Sequence, residues 1–282
     1  MMKTTLLMIA LMLSFLTKAQ ESDPAIHVSI KGQGDPIVFI PGFTVPGNSW
    51  DPIVNELATN YECHTITLAG FGGKPPIDFP WLARVNSALD DYINQNELEN
   101  ATIIGHSLGG TIATWLASRD NEYISKIILV DALPAAGALM IPNFNPDHLV
   151  YNSPFNRQQL GMKEEDFENL ARGMAQGMSL QPATQKRIKD WIMLADRETY
   201  VYGYTDYLKL DLREELRNIK VPVTIIAAEM PYGKEMVKQT YQNQYANLAQ
   251  YDLIIAHQAA HFLMFDQAEW FMQQLHQSLA NQ

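Results

Sequence analysis

"ATIIGHSLGGTIATWLAS", residues 101–118, runs from a short strand-like stretch through a serine with glycines on both sides into a helical pattern. Residues 101–104 are apolar or β-branched, as in a buried strand. Leu108, Ile112, Trp115 and Leu116 then recur with helical spacing. Ser107 therefore sits at a strand-to-helix turn. A turn this sharp brings backbones so close that a Cβ two residues before or after the serine would clash; Gly105 and Gly109 remove those atoms. The turn aims the Ser107 hydroxyl outward, at the positive end of the following helix. The Leu108 N–H is left to stabilise a developing oxyanion. Gly-x-Ser-x-Gly in this context is the pattern of a nucleophile elbow.

Similar strand-like runs lie on either side: "DPIVFIPG" (35–42), "CHTITLAGFGG" (63–73), "KIILVD" (126–131), "VPVTIIAA" (221–228) and "YDLIIAH" (251–257). They are apolar on both parities, the signature of parallel strands covered on both faces. Helical patterns separate them, at 82–96, in the stripe after Ser107, and at Ala268, Phe271, Met272, Leu275 and Leu279. The alternation predicts an α/β fold with an open, mostly parallel sheet flanked by helices. One interval breaks the rhythm, from Asp131 to Val221. It is too long for a structureless loop and reads as helices over 163–178, 183–196 and 199–219. We expect a helical cap at 135–219 inserted into a core made of 20–134 and 220–282. Its methionines and aromatics, among them Met174, Met178, Trp191, Tyr200 and Tyr204, mostly pack the cap itself, and suit an apolar substrate pocket.

Composition narrows the partners. The 282 residues are 47% hydrophobic and 18% charged, with a formal net charge of −11. A chain this acidic is a poor binder of nucleic acid or anionic lipid. Residues 1–19 read as a secretory signal peptide: Lys3, an apolar run from Leu6 to Leu16, and a small-x-small end at Thr17-Lys18-Ala19. The run is shorter than the roughly 20 residues of a spanning helix. The expectation is export to the periplasm or medium, with cleavage after Ala19 and no stable membrane anchor thereafter. Cys63 is the one cysteine, so no internal disulfide forms, and it has no partner that would mark a cysteine nucleophile.

A second oxyanion donor is expected from the glycine turn in "FIPGFTVPGNSW" (39–50), where the Phe43 N–H is the candidate. With these pieces in place, the chain resembles the α/β-hydrolase family in its cap-bearing branch. The matching segments are Pro41-Gly42-Phe43, "AGFGGK" (69–74), the elbow, "LVDALP" (129–134), "DLREELRNIKVPV" (211–223) and "AAHFLMFDQAEWF" (259–271), in family order across nearly the whole mature chain. One departure is Pro41, where the family often has histidine; the donor there is a backbone group, so little should be lost.

The resemblance implies that His261, after the last strand, is the base that serves Ser107. Of the other histidines, His257 falls near the strand end and His106 should point away from the serine into packing. His27, His64, His148 and His276 have no supporting context. The acid should come between serine and histidine in the chain. Its commonest place, after the next-to-last strand, reads "IIAAEMPYGKEM" (225–236) and offers only Glu229. Some relatives carry it one strand earlier, where Asp131 stands. Position favours Asp131 over Glu229.

The function expected is an exported serine hydrolase that cleaves a carboxylic ester of a small, mainly apolar substrate through an acyl-enzyme, with no metal or organic cofactor. No His-Glu-x-x-His, phosphate-binding lysine loop or dinucleotide fingerprint is present. Amidase, lactonase and carbon–carbon hydrolase activities fit the same residues, since fold and triad do not fix the substrate. A non-catalytic ligand-binding protein on the same scaffold is the other reading, because the usual aspartate is missing. Oligomeric state is not legible.

Overall fold

The computed structural model describes residues 25–119 and 121–280; the signal peptide expected at 1–19 lies outside them. In chain order the core opens with β1 (Ile26–Gly32), β2 (Asp35–Ile40), α1 (Asp51–Leu57), β3 (Tyr61–Leu68) and α2 (Trp81–Gln95). Next come β4 (Ala101–His106), α3 (Leu108–Ala117) and β5 (Ile124–Val130). The interval before the next strand holds α4 (Ala136–Met140), α5 (Pro154–Leu160), α6 (Glu164–Met178), α7 (Pro182–Leu194) and α8 (Tyr204–Lys209). The chain closes with β6 (Val223–Ala228), α9 (Lys234–Gln244), β7 (Asp252–Ala256), α10 (Leu263–Asp266) and α11 (Ala268–Ala280).

The strands form one seven-stranded sheet in the order β1-β3-β2-β4-β5-β6-β7. Only β1 is antiparallel, to β3; the other neighbours pair in parallel. Alternate residues of the central strands enter different cores, as their two-sided apolarity requires. Val38, Ile103, Leu129 and Ile225 face a core completed by α2, α3 and α9. Phe39, Ile104, Ile128 and Ile226 face one completed by α1 and α11. The strand order reverses between β2 and β4. Crevices at the carboxyl ends of strands beside such a reversal are where open α/β sheets bind ligands.

The structure adds one strand and corrects one expectation. β1 carries no two-sided apolar run: it alternates, and its outer half is exposed, Ile30 included at 57%. An edge strand of this kind escapes a search for buried parallel strands. The single helix expected over 199–219 is broken into a π turn at Thr199–Gly203, α8, and a 3-10 turn at Glu215–Asn218. The break falls where the Asp211 carboxylate accepts the Arg213 N–H (3.1 Å) and the Leu212 N–H donates to the Pro134 carbonyl (3.0 Å). An aspartate that satisfies its neighbour's backbone in this way competes with helix continuation.

Cys63 lies on β3 and is buried, and burial pushes its thiol up to about 11, against the opposing pull of the Lys31 charge. Among the described residues no helix is long and apolar enough to cross a membrane.

Candidate active site

Ser107 occupies the turn between β4 and α3 with φ 54° and ψ −121°, a conformation costly for any residue with a side chain. Its N–H continues the sheet by donating to the Val130 carbonyl (2.9 Å). Its own carbonyl accepts the first helical N–H groups, from Gly110 and Thr111 (2.9 and 3.1 Å). The glycines make this packing possible. A Cβ on Gly105 would lie 2.2 Å from the Gly109 carbonyl oxygen, and one on Gly109 would lie 2.2 Å from that of Ile40. Gly110 does a separate job: its Cβ would meet that of Ala132 at 2.3 Å, so it lets α3 press against the chain leaving β5.

The structure brings together the three side chains singled out for the chemistry. His261 Nε2 lies 2.9 Å from Ser107 Oγ, and His261 Nδ1 lies 2.7 Å from Asp131 Oδ2. With Nδ1–H donating to the carboxylate, Nε2 is left as the acceptor for the serine hydroxyl. Asp131 follows β5 with φ 45°. Its other oxygen accepts the Ala228 N–H (2.9 Å) and the Tyr241 hydroxyl (3.0 Å). Burial pushes the Asp131 carboxyl up, but the His261 hydrogen bond and charge, with the Ala228 and Tyr241 donors, outweigh it and hold the group below the usual aspartate range.

Glu229 is engaged elsewhere. Its carboxylate pairs with His257 Nδ1 and accepts the Gln258 N–H at 3.1 Å. Tyr241 was not singled out in the sequence. It shares the inward face of α9 with Val237 and Gln244, and a tyrosine in such a stripe reads as core. No local spacing signals that its hydroxyl reaches a carboxylate more than a hundred residues earlier.

The turn at Gly42 and Phe43 abuts the elbow. A Cβ on Gly42 would lie 2.9 Å from His106 Nδ1 and 3.3 Å from Ser107 Cβ, so only glycine lets the Gly42–Phe43 peptide come this close. Among the described residues, neither the Phe43 N–H nor the Leu108 N–H donates to another protein group. The Phe43 ring meets Phe71, Trp81, Tyr200 and Tyr204 with centroids 4.8 to 6.1 Å apart. Residues from the loop after β3, from α2, from the π turn and from the start of α8 thus close an aromatic shell around Phe43. No group of three or more potential metal ligands is gathered among the described residues.

His106 is buried beneath the loop that carries His261. Its ring lies against those of His261 and Phe262 (4.7 and 4.6 Å), and its Nε2–H donates to the His261 carbonyl (2.9 Å). Burial, then the His261 charge, push it down to about 3. A histidine that stays neutral when folded but charges near pH 6.5 when unfolded favours the unfolded chain in acid. The stability this costs is lost as pH falls from about 6.5 toward 3. His106→Gln should therefore flatten the fall of the urea midpoint between pH 7 and pH 4, measured by intrinsic fluorescence.

Comparisons with known proteins bear on the fold and the family. The family profile described as "Alpha/beta hydrolase family" matches residues 37–274. The pimeloyl-[acyl-carrier protein] methyl ester esterase of Vibrio cholerae is 26% identical over 258 residues, covering 89% of this chain and 96% of that protein. Among solved structures, the enol-lactonase from Burkholderia xenovorans superposes with a TM-score of 0.75 at 18% identity, over 91% of this chain and 96% of that one. An esterase from Exiguobacterium antarcticum gives 0.74 at 20% identity, over 89% and 94%. The sheet order, the serine elbow after β4 and the match over most of the chain lead to one conclusion: this protein belongs to the alpha/beta hydrolase family.

Proposed function

We propose that the protein is a serine esterase acting on carboxylic esters with a mainly apolar acyl or alcohol part. The observation that carries the reading is the unbroken chain Ser107 Oγ, His261 Nε2, His261 Nδ1, Asp131 Oδ2 at 2.9 and 2.7 Å. Ser107 Oγ attacks the ester carbonyl carbon as its proton passes to His261 Nε2. The Phe43 and Leu108 N–H groups receive the charge on the carbonyl oxygen, where one such donor is worth about 3 kcal/mol. Asp131 holds the imidazole tautomer and stabilises its cation. Collapse expels the alcohol with the proton from His261. Water, deprotonated by the same ring, then releases the acid and regenerates the serine.

The Vibrio cholerae relative, named as a methyl ester esterase, supports ester over amide as the bond cleaved. The aromatic shell around Phe43 and the cap methionines support an apolar substrate. We also propose that the helices between β5 and β6 act as the cap that selects it. The leader pattern at 1–19 supports export, for which a mature N-terminus at Gln20 by mass spectrometry is the check.

The reading is tested by treating the protein with a fluorophosphonate probe and mapping the adduct, together with a p-nitrophenyl ester panel of increasing acyl length. A stoichiometric adduct on Ser107 and turnover of short to medium chains are expected. No adduct and no turnover would favour a ligand-binding protein on this scaffold.

A further inference from the structure

We propose that Asp266 is a positioning residue that makes the placement of His261 depend on the seating of the α6–α7 hairpin. The inference rests on His261 being the base proposed above.

Asp266 closes the short helix α10, five residues after His261. One of its carboxylate oxygens, Oδ2, accepts the Ala260 N–H at 2.9 Å, on the residue directly before His261. The other donors come from the turn between α6 and α7. The Ser179 hydroxyl donates to Oδ1 at 2.6 Å, and the Leu180 N–H reaches both oxygens at 3.1 and 3.2 Å. Ser179 is buried. A backbone bond runs beside the carboxylate, from the Phe262 N–H to the Met178 carbonyl at 2.9 Å. His261 is thus flanked by two residues, Ala260 and Phe262, each tied to the hairpin, one through Asp266 and one directly.

This arrangement has a mechanical consequence. A hairpin that lifts to admit substrate or release product must break the Ser179 and Leu180 donors and the Met178 acceptor together. The carboxylate that holds Ala260 then loses its anchorage, and the His261 ring loses the geometry that puts Nε2 on Ser107. A closed hairpin restores it. Misplacing a catalytic group by about 1 Å costs on the order of 10²-fold in rate, so modest loosening is enough to tie chemistry to closure.

The test uses Ser179→Ala, Asp266→Asn and the double variant of the full chain, with p-nitrophenyl butyrate kinetics and amide hydrogen exchange. Ser179→Ala touches neither Ser107 nor His261. It is expected to lower kcat by about tenfold with KM within about twofold, and to speed exchange at residues 259–262. Asp266→Asn should do at least as much, and the double variant no more than Asp266→Asn alone, since both act through one link. Unchanged kcat and unchanged exchange at 259–262 in Ser179→Ala would overturn the proposal, as would multiplying effects in the double variant. If Asp266→Asn fails to fold, Ser179→Ala decides by itself. His261→Ala is measured alongside: retained turnover there would sink the assignment of the base, while the exchange readout still decides the link to the hairpin.

Discussion

Ser107→Ala is expected to lower kcat for a short p-nitrophenyl ester by about 10⁶ and to abolish fluorophosphonate labelling. The fold should survive. Alanine and serine meet the same backbone cost at φ 54°, and among the described residues the hydroxyl holds no partner besides His261 Nε2. The residual rate should exceed that of water, because the proposed oxyanion donors, the Phe43 and Leu108 N–H groups, are untouched by the substitution. Burst kinetics separate this from a binding defect: the wild type releases nitrophenol in a stoichiometric burst if deacylation is slow, and the variant has no acyl-enzyme to accumulate. Full activity in Ser107→Ala would end the serine mechanism.

Asp131→Asn should lower kcat by about 10⁴. The amide would present an NH₂ to His261 or leave the ring in the wrong tautomer, with its proton on the nitrogen that must accept from Ser107. Tyr241→Phe removes one of the donors on the same carboxylate while the Ala228 N–H remains, so its loss should be far smaller. Glu229→Gln should cost least. Its carboxylate serves the exposed His257 and the Gln258 N–H, neither of which touches the reacting atoms. Steady-state kcat for the three variants at one pH checks the ranking. Glu229→Gln as the worst of them would mean the acid had been assigned to the wrong strand.

The sequence made the elbow, the buried strands and the interruption after β5 readable because each depends on local chemistry. Gly105 and Gly109 are needed by a turn a few residues long, and Ile103, Ile104, Ile127 and Ile128 advertise burial on both faces of a sheet. Asp131 could be favoured over Glu229 from its position directly after a strand-like run, since chain order admits both, and the geometry brings Asp131 to His261. What could not be read are contacts joining remote segments through ordinary residues. Tyr241 looks like any core tyrosine, and Asp266 like any helix-end acid. Their meaning comes from Asp131 and Ser179, which only the folded chain sets beside them. β1 escaped for a different reason: an edge strand solvated on its outer half lacks the pattern that marked the rest.

The lone thiol at Cys63 is fully buried and held protonated at neutral pH. Maleimide chemistry on the untouched protein therefore meets no competing surface group. A cysteine introduced at an exposed site on the insert, such as Leu194→Cys (Leu194 is 56% exposed), would become a unique handle. A fluorophore attached there could follow motion of α7 in real time, in a molecule that needs no prior removal of native sulfhydryls.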